Sequence, residues 1–251
     1  MASATVDTKR PGYDSIGELF KKFEGTPAQL VEARTVLDLV GDISNKSVLD
    51  LACGYGFFGR ELYKRSASKV VGVDISEMMI DLAREESRKN GDKIEFHVCN
   101  VSEMETLGHF DVVVAAFLFN YADSLSELGN MFKSVAANLK PGGRLIAYTV
   151  EPDYVIQNGN FRDYGVNILG EEPWKEGHRM HAEFMTASPS PFTFYRWKRK
   201  DYEQAIIAAG FSDFYWQKPI LMDSDIEKHP QGFWDVFQNN CFHTALVCEL
   251  Q

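Results

Sequence analysis

Two hydrophobic periods alternate along this chain. Short, nearly continuous apolar runs of strand length fall at residues 48–52, 69–73, 94–98, 111–117 and 144–150. Between them, apolar positions recur every three to four residues, the spacing of a helix that covers one face of a sheet. The helical stretches carry their own punctuation. Thr26-Pro27 opens one that Gly41 closes, Asn90-Gly91 closes the stretch 76–89, and Ser124 with Glu127 forms a capping box for a helix to residue 140. Pro141-Gly142-Gly143 then turns the chain into the fifth strand. A helix at 200–209 and strands at 213–221 and 242–249 complete the series, and a short amphipathic helix is expected at 13–23. Strand following helix in this way predicts an α/β fold, a doubly wound and mainly parallel sheet with right-handed crossovers.

The pattern breaks once. Residues 152–197 are too long for a plain connection and read as an insertion within a single domain spanning 1–251. Strand-like segments at 178–185 and 192–198 flank Ser188-Pro189-Ser190-Pro191, which predicts a small antiparallel lid sheet. The insertion is rich in aromatic residues, as expected of a flat, apolar binding surface or of a small sheet with its own core.

Composition narrows the class. A chain of 251 residues with 45% hydrophobic content can bury one sizeable core. A net charge of −10 argues against a general nucleic-acid or anionic-membrane surface. Cys53, Cys99, Cys241 and Cys248 lack C-x-x-C spacing, so neither a metal site nor a disulfide framework is expected. The first ten residues carry no apolar signal segment, and the reading is a cytoplasmic protein, monomer or homodimer.

Candidate chemistry concentrates at residues 47–59, where a strand runs into glycines at 54, 56 and 59 and a helix follows. Glycine suits such a turn because it accepts positive φ and lets a ligand approach bare backbone. Asp74 ends the next strand, where a carboxylate can bind ribose hydroxyls. G-x-G-x-x-G with this acid also fits a dinucleotide, so a nicotinamide-dependent oxidoreductase is an alternative. Asp50, near the end of the strand feeding the turn, opposes a pyrophosphate there and favours a cationic ligand.

The segments VLDLACGYGFFG (48–59), VVGVDISEMMIDLAR (70–84), FHVCNV (96–101), FDVVVAAFLFNY (110–121) and LKPGGRLI (139–146) together resemble the class I S-adenosylmethionine-dependent methyltransferases. The resemblance implies that family's seven-stranded sheet, completed by a late antiparallel strand, and S-adenosylmethionine as cofactor. It also implies cofactor contacts from Asp50 and the turn at Ala52, Cys53 and Gly54 to the amino acid part, and from Asp74 to the ribose. Ile75, Met79, Asn100 and Val101 would meet adenine, with asparagine standing where family members often carry aspartate. Phe117 and Tyr121 would face the substrate side, and Tyr13 would cover the methionine end and touch substrate.

For the acceptor, Tyr148, Tyr154, Trp174, Tyr195 and Trp197 are the aromatic candidates, with Asn239 as an amide that offers hydrogen bonds or caps a turn. Methyl transfer from a sulfonium requires placement and water exclusion, and a base is optional when the acceptor is a nitrogen with a lone pair. Among the histidines, His178 and His181 in the insertion are the candidate bases, and no catalytic residue is assigned. YDSIGELF (13–20), the block 49–79, NYADS (120–124), FYRWKRKDYEQAI (194–206) and GFWDVFQNNC (232–241) resemble, more loosely, the N-methyltransferases of toxoflavin (azapteridine) biosynthesis. That resemblance implies a planar heteroaromatic substrate methylated at ring nitrogen. O-methylation of an aromatic natural product is the neighbouring alternative.

Overall fold

The computed structural model of the chain describes residues 25–185 and 189–251. The helix expected at 13–23, with Tyr13, lies outside the described residues. The first described helix, α1 (Pro27–Val40), starts where Thr26 accepts a hydrogen bond from the Gln29 amide and stops at Gly41, φ 69°. Then follow β1 (Ser47–Leu51), α2 (Phe57–Lys64), β2 (Lys69–Asp74), α3 (Glu77–Asn90), β3 (Glu95–Val98), β4 (Phe110–Ala116), α4 (Leu125–Ala137) and β5 (Leu139–Val150). Ser76 caps α3 by accepting from the Met79 amide at 3.2 Å, and Gly91 closes it in the left-handed conformation. Such caps satisfy backbone groups that the helix itself leaves unpaired.

The expected continuation of α4 to residue 140 is corrected. The helix ends at Ala137 because Asn138 turns the chain: its amide nitrogen donates to Ser134 O at 2.9 Å and its amide oxygen accepts from Leu107 N at 2.7 Å. Strand β5 accordingly begins at Leu139 and takes Pro141-Gly142-Gly143 into itself as an irregularity in its pairing with β4.

After β5 come β6 (Val166–Trp174), β7 (Gly177–Phe184) and β8 (Ser190–Arg196), then α5 (Arg199–Ala208), β9 (Phe211–Gln217), the short helices α6 (Asp223–Ile226) and α7 (Asp235–Asn239), and β10 (His243–Leu250). The main sheet has the order β3-β2-β1-β4-β5-β10-β9, with β10 antiparallel to both neighbours. The inserted sheet has three strands, not two, in the order β6-β7-β8. Strand β6 escapes the sequence pattern because Gly170 and Pro173 interrupt it and its register with β7 shifts between Ile168 and Gly170. The helices α6 and α7 are too short to show a period.

Each face of the main sheet has its own core. Leu49, Leu51, Val113 and Leu145 pack towards α4 and α5 around the stacked rings of Phe119 and Phe132, 4.1 Å apart. Val48, Val112, Val114 and Ile146 pack towards α1, α2 and α3. A third cluster joins the inserted sheet to the start of α1 and to α7, through Val31, Val150, Phe161, Met180, Phe194 and Phe237. Trp197, just beyond β8, ties the insertion down. Its indole N–H donates to Ala122 O at 3.0 Å and its ring lies against Gly177, where an added Cβ would stand 2.6 Å from the ring and 2.8 Å from Arg196 O.

Gly177→Ala should therefore lower stability by about 1–3 kcal/mol, because the ring and a backbone carbonyl must both yield to the new methyl. Urea unfolding measures this. An unchanged midpoint would show that Trp197 moves aside at no cost.

Candidate functional site

Parallel pairing aligns the ends of the central strands. Leu51 of β1 is opposite Val73 of β2 and Ala115 of β4, so Ala52, Asp74 and Phe117 emerge along one edge of the sheet. Open α/β sheets bind ligands outside this carboxyl edge. The turn after β1 is drawn tight by Cys53 N donating to Val73 O at 3.0 Å and Gly56 N to Cys53 O at 2.8 Å. Gly54 has φ 53°, and nothing lies within 4 Å of where its Cβ would be, so it offers bare backbone to the crevice.

Two carboxylates hold this turn. Asp74 accepts from Gly54 N at 2.8 Å through one oxygen and from Ser76 N at 2.9 Å through the other, joining the turn to the start of α3. Asp50 lies beneath, 1% exposed, and accepts from Gly59 N at 2.8 Å. Gly59 is needed for that approach, since a Cβ there would stand 3.3 Å from the carboxylate. Burial pushes the Asp50 carboxyl up to about 7, opposed by the Gly59 hydrogen bond and helped by the charge of Asp74. Burial likewise raises the Cys53 thiol, so Cys53 stays protonated.

The expected adenine group is only partly open to a ligand. Ile75 is half-buried at the edge, whereas Met79 and Val101 are 3% and 4% exposed and pack inward. Asn100 departs from the expected role, because its amide oxygen is already engaged by Ser102 N at 3.1 Å and Ser102 Oγ at 3.0 Å as the cap of a short turn. Its amide nitrogen is the part left for a ring nitrogen.

The aromatic candidates do not share one cavity. Trp174 and Tyr195, 5.7 Å apart, pack on the α4 side of the sheet, where the Trp174 indole donates to Asp123 O at 2.8 Å and Arg179 stacks on its ring at 4.1 Å. Trp197 belongs to the same core. Their placement as a joint substrate wall is thus corrected: alternation along β6 and β8 turns them to the face opposite Tyr148. Tyr154 is closed into the third cluster, its hydroxyl donating to Gly159 O at 2.7 Å. Asn239 is exposed and its amide donates to Asp235 O at 2.9 Å within α7, which is the turn-capping alternative. Of the two candidate bases, His181 stands 3.3 Å from Glu172 with its side chain 42% exposed on the inserted sheet, and His178 is half-buried on the same strand.

Next to the carboxyl edge the structure sets the expected Phe117 and Tyr148 beside His243 and Glu32, which sequence reading passed over. Phe117, φ 55°, donates its N–H to Tyr148 O at 2.6 Å, and its ring meets Tyr148 at 5.5 Å and His243 at 5.0 Å. Burial lowers His243 to about 3 and raises Tyr148. Glu32 on α1, half-buried, is pushed up to about 8 by burial and acts electrostatically on Tyr148. Tyr121, half-buried in the turn after β4, is also raised by burial. His243 opens the last strand within an apolar run, and only the position of β10 beside β5 reveals its proximity. Among the described residues no group of three or more His, Cys, Asp or Glu is arranged to hold a metal, and no helix is long and apolar enough to cross a membrane.

Residues 48–143 match a family model described as a methyltransferase domain. A demethylmenaquinone methyltransferase of Lactococcus lactis subsp. lactis is 35% identical over 139 residues, 52% of this chain and 52% of that protein. The chain spans about half the length of the curated relatives it matches. A S-adenosylmethionine-dependent methyltransferase from Clostridium acetobutylicum is similar in structure with a TM-score of 0.64 at 17% identity, covering 95% of this chain and 99% of that one. An amino pentose methyltransferase from Micromonospora echinaspora, involved in calicheamicin biosynthesis and solved with S-adenosylmethionine bound, gives a TM-score of 0.61 at 17% identity over 94% and 97% of the two chains.

The Asp50 carboxyl generates a test. In the unfolded chain an aspartate ionises above about pH 4, whereas the folded group ionises above about 7. The native state holds the extra proton between these values, so the contribution of Asp50 to stability is greatest below pH 4 and is lost as pH rises through 7. In urea unfolding of cofactor-free protein, the stability of wild type relative to Asp50→Asn should fall by on the order of 2 kcal/mol or more between pH 4 and 7.5 and be level above. A difference already flat from pH 4 would mean that the carboxyl ionises normally.

Proposed function

We propose, from the match of residues 48–143 to a methyltransferase-domain model, that the chain is a class I S-adenosylmethionine-dependent methyltransferase that transfers a methyl group to a small planar heteroaromatic acceptor, at a ring nitrogen in preference to oxygen. The observation that carries the reading is the carboxylate pair at the strand ends. Asp74, pinned by the Gly54 and Ser76 amides, stands at the strand end where a carboxylate can meet ribose hydroxyls. Asp50, buried below the turn, supplies a negative potential that suits a ligand with a cationic amino acid end and opposes a pyrophosphate.

The residues fit the cofactor in outline. The backbone of Ala52, Cys53 and Gly54 would flank its amino acid part, Asp74 its ribose, and Ile75 with the Asn100 amide its adenine. When bound, S-adenosylmethionine supplies a methyl group already activated on a sulfonium. The chain then has to place the acceptor lone pair in line with that methyl group and keep water out, effects worth roughly 7–11 kcal/mol at best. Phe117, at the end of β4, lies between the cofactor turn and the acceptor side. The inserted sheet and α7 close over that side, and we assign residues 152–197 the role of a lid within one domain.

Nitrogen is preferred to a phenolic oxygen on electrostatic grounds. A phenol must lose its proton to become nucleophilic, which calls for a base near neutrality beside the acceptor. Burial holds His243 low, which makes its imidazole a weak proton acceptor, and raises Glu32 to about 8, which favours its protonated form. A ring nitrogen with its own lone pair needs no such partner. An azapteridine-like heterocycle, as implied by the looser resemblance, satisfies this condition.

Titration of the protein with S-adenosylhomocysteine by calorimetry tests the reading, with saturable binding expected. Asp74→Ala should weaken that binding about a hundredfold or more, since hydrogen bonds to a charged group contribute roughly 1.5–3 kcal/mol each. Unchanged affinity in the folded variant, or tight binding of NAD in place of S-adenosylhomocysteine, would sink it.

A further inference from the structure

The side of the carboxyl edge beyond Phe117 is closed by rings in series. Phe237 stacks on Phe161 at 5.4 Å, Phe161 meets His243 at 5.1 Å, and His243 meets Phe117 at 5.0 Å. Around this series Tyr154, Phe161, Trp234, Phe237 and Phe242 are each at most 3% exposed. A molecule approaching Phe117 from this side enters only when one of the covering parts moves. Three parts meet there: α1, the insertion, and residues 218–242, which run from the end of β9 to the start of β10.

Their anchors decide which of them moves. Helix α1 is packed on the main sheet through Val36 and Val40, and Arg144 of β5 donates to its Leu39 O at 2.9 Å. The insertion is fixed by two indoles, Trp174 on Asp123 O and Trp197 on Ala122 O, and by Arg196 donating to Pro152 O at 2.9 Å. Residues 218–242 are held differently at their two ends. At the α7 end the ring of Trp234 stacks on Tyr164 at 5.5 Å, and the Tyr164 hydroxyl donates to Phe233 O and accepts from Phe237 N at 3.3 Å. At the α6 end the seam with α1 is polar. Arg34 grips Asp225 with both terminal nitrogens, one at 3.0 Å, and also donates to Ile220 O at 3.1 Å. Thr35 Oγ1 accepts from Ile220 N at 2.8 Å. Met222 and Ile226 of this end stay 48% and 39% exposed, so little apolar surface is buried to keep it shut. Local opening starts where buried apolar contacts are few.

We propose that residues 218–242 are the door to the acceptor side, hinged on Tyr164 and latched to α1 by the Arg34–Asp225 ion pair. That an acceptor passes this door rests on the methyltransferase reading; the opening itself does not. The latch suits its task because the Arg34 side chain is 23% exposed, so water can take over its hydrogen bonds as the pair separates. A planar fork on a carboxylate also closes in one geometry only, which returns α6 to the same place each time. Arg34 and Asp225 act through the position of the door and touch neither cofactor nor acceptor.

Amide hydrogen exchange followed by NMR on the full chain tests the door. The Ile220 amide, bonded across the seam, should exchange well ahead of the Leu246 and Val247 amides within β10. Arg34→Gln should speed Ile220 about tenfold or more while leaving Phe237, at the hinge, and β10 at their wild-type rates, and Arg34→Lys should recover part of the difference. The double variant Arg34→Gln with Asp225→Asn, which leaves neither charge unpaired, carries the same expectation and serves where the single variant does not fold. Cys241, partly buried in the same cluster and acting electrostatically on Tyr148, reports access. Burial pushes its thiol up to about 12, so its labelling by N-ethylmaleimide, read by peptide mass, should quicken by a similar factor when the latch is removed. Exchange at Ile220 no faster than at Leu246, equal acceleration throughout the chain, or unchanged Cys241 labelling in the folded variants would each overturn the door while leaving S-adenosylhomocysteine binding as it was. Failure of wild type to bind S-adenosylhomocysteine would instead remove the methyltransferase reading and leave the exchange pattern to stand.

Discussion

The arrangement depends on two carboxylates that hold the same turn from below and from the side. Asp74 fixes the Gly54 and Ser76 amides and Asp50 fixes the Gly59 amide, so the ends of β1 and β2 and the starts of α2 and α3 become one rigid unit. Each bond satisfies a backbone N–H that a strand end or helix start would otherwise leave unpaired. Charge-assisted bonds of this kind are among the stronger ones. The cost is a carboxyl buried beneath the turn, visible as the raised Asp50. A cationic ligand above the turn relieves that cost, which links the stability of the empty protein to its affinity for such a ligand.

The insertion shows how a two-faced sheet separates aromatic residues that look equivalent in sequence. Strand β8 sends Phe194 into the cluster with Val31 and Val150, while Tyr195 and the following Trp197 join the core beside α4. Trp174 does the same from β6, bonded to Asp123 O. The two tryptophans serve here as anchors whose indole N–H groups reach the backbone carbonyls of Asp123 and Ala122, which holds the insertion against the main sheet.

The alternation of strands and helices was legible because hydrophobic periods and caps report local structure directly. Thr26, Ser76 and Gly91 sit where the pattern placed the helix ends. The glycine turn and Asp74 were legible for the same reason, since positive φ and a strand-end acid leave a mark within a few residues. What the sequence hid was contact over distance. Nothing in the run Cys241-Phe242-His243-Thr244 shows that it lies next to β5, and nothing in α1 marks Glu32 as a neighbour of Tyr148. The engagement of the Asn100 oxygen was hidden as well, because Ser102, two residues on, takes it in a turn. Strand β6 was missed because glycine and proline, read as breakers, here bend an antiparallel edge.

Backbone strain marks the carboxyl edge of the main sheet. Ala52 and Phe117 are non-glycine residues with φ of 53° and 55°, and they follow the neighbouring central strands β1 and β4. A side chain in that conformation costs on the order of 1 kcal/mol or more and persists where the surroundings dictate it. For Phe117 those surroundings are the Tyr148 carbonyl that takes its N–H and the rings of Tyr148 and His243 that receive its own. Relaxing Phe117 would break its ring contacts with both Tyr148 and His243. Two of the five described non-glycine residues at positive φ thus stand just beyond central strands, beside the carboxylate-held turn, where the sheet's carboxyl edge opens.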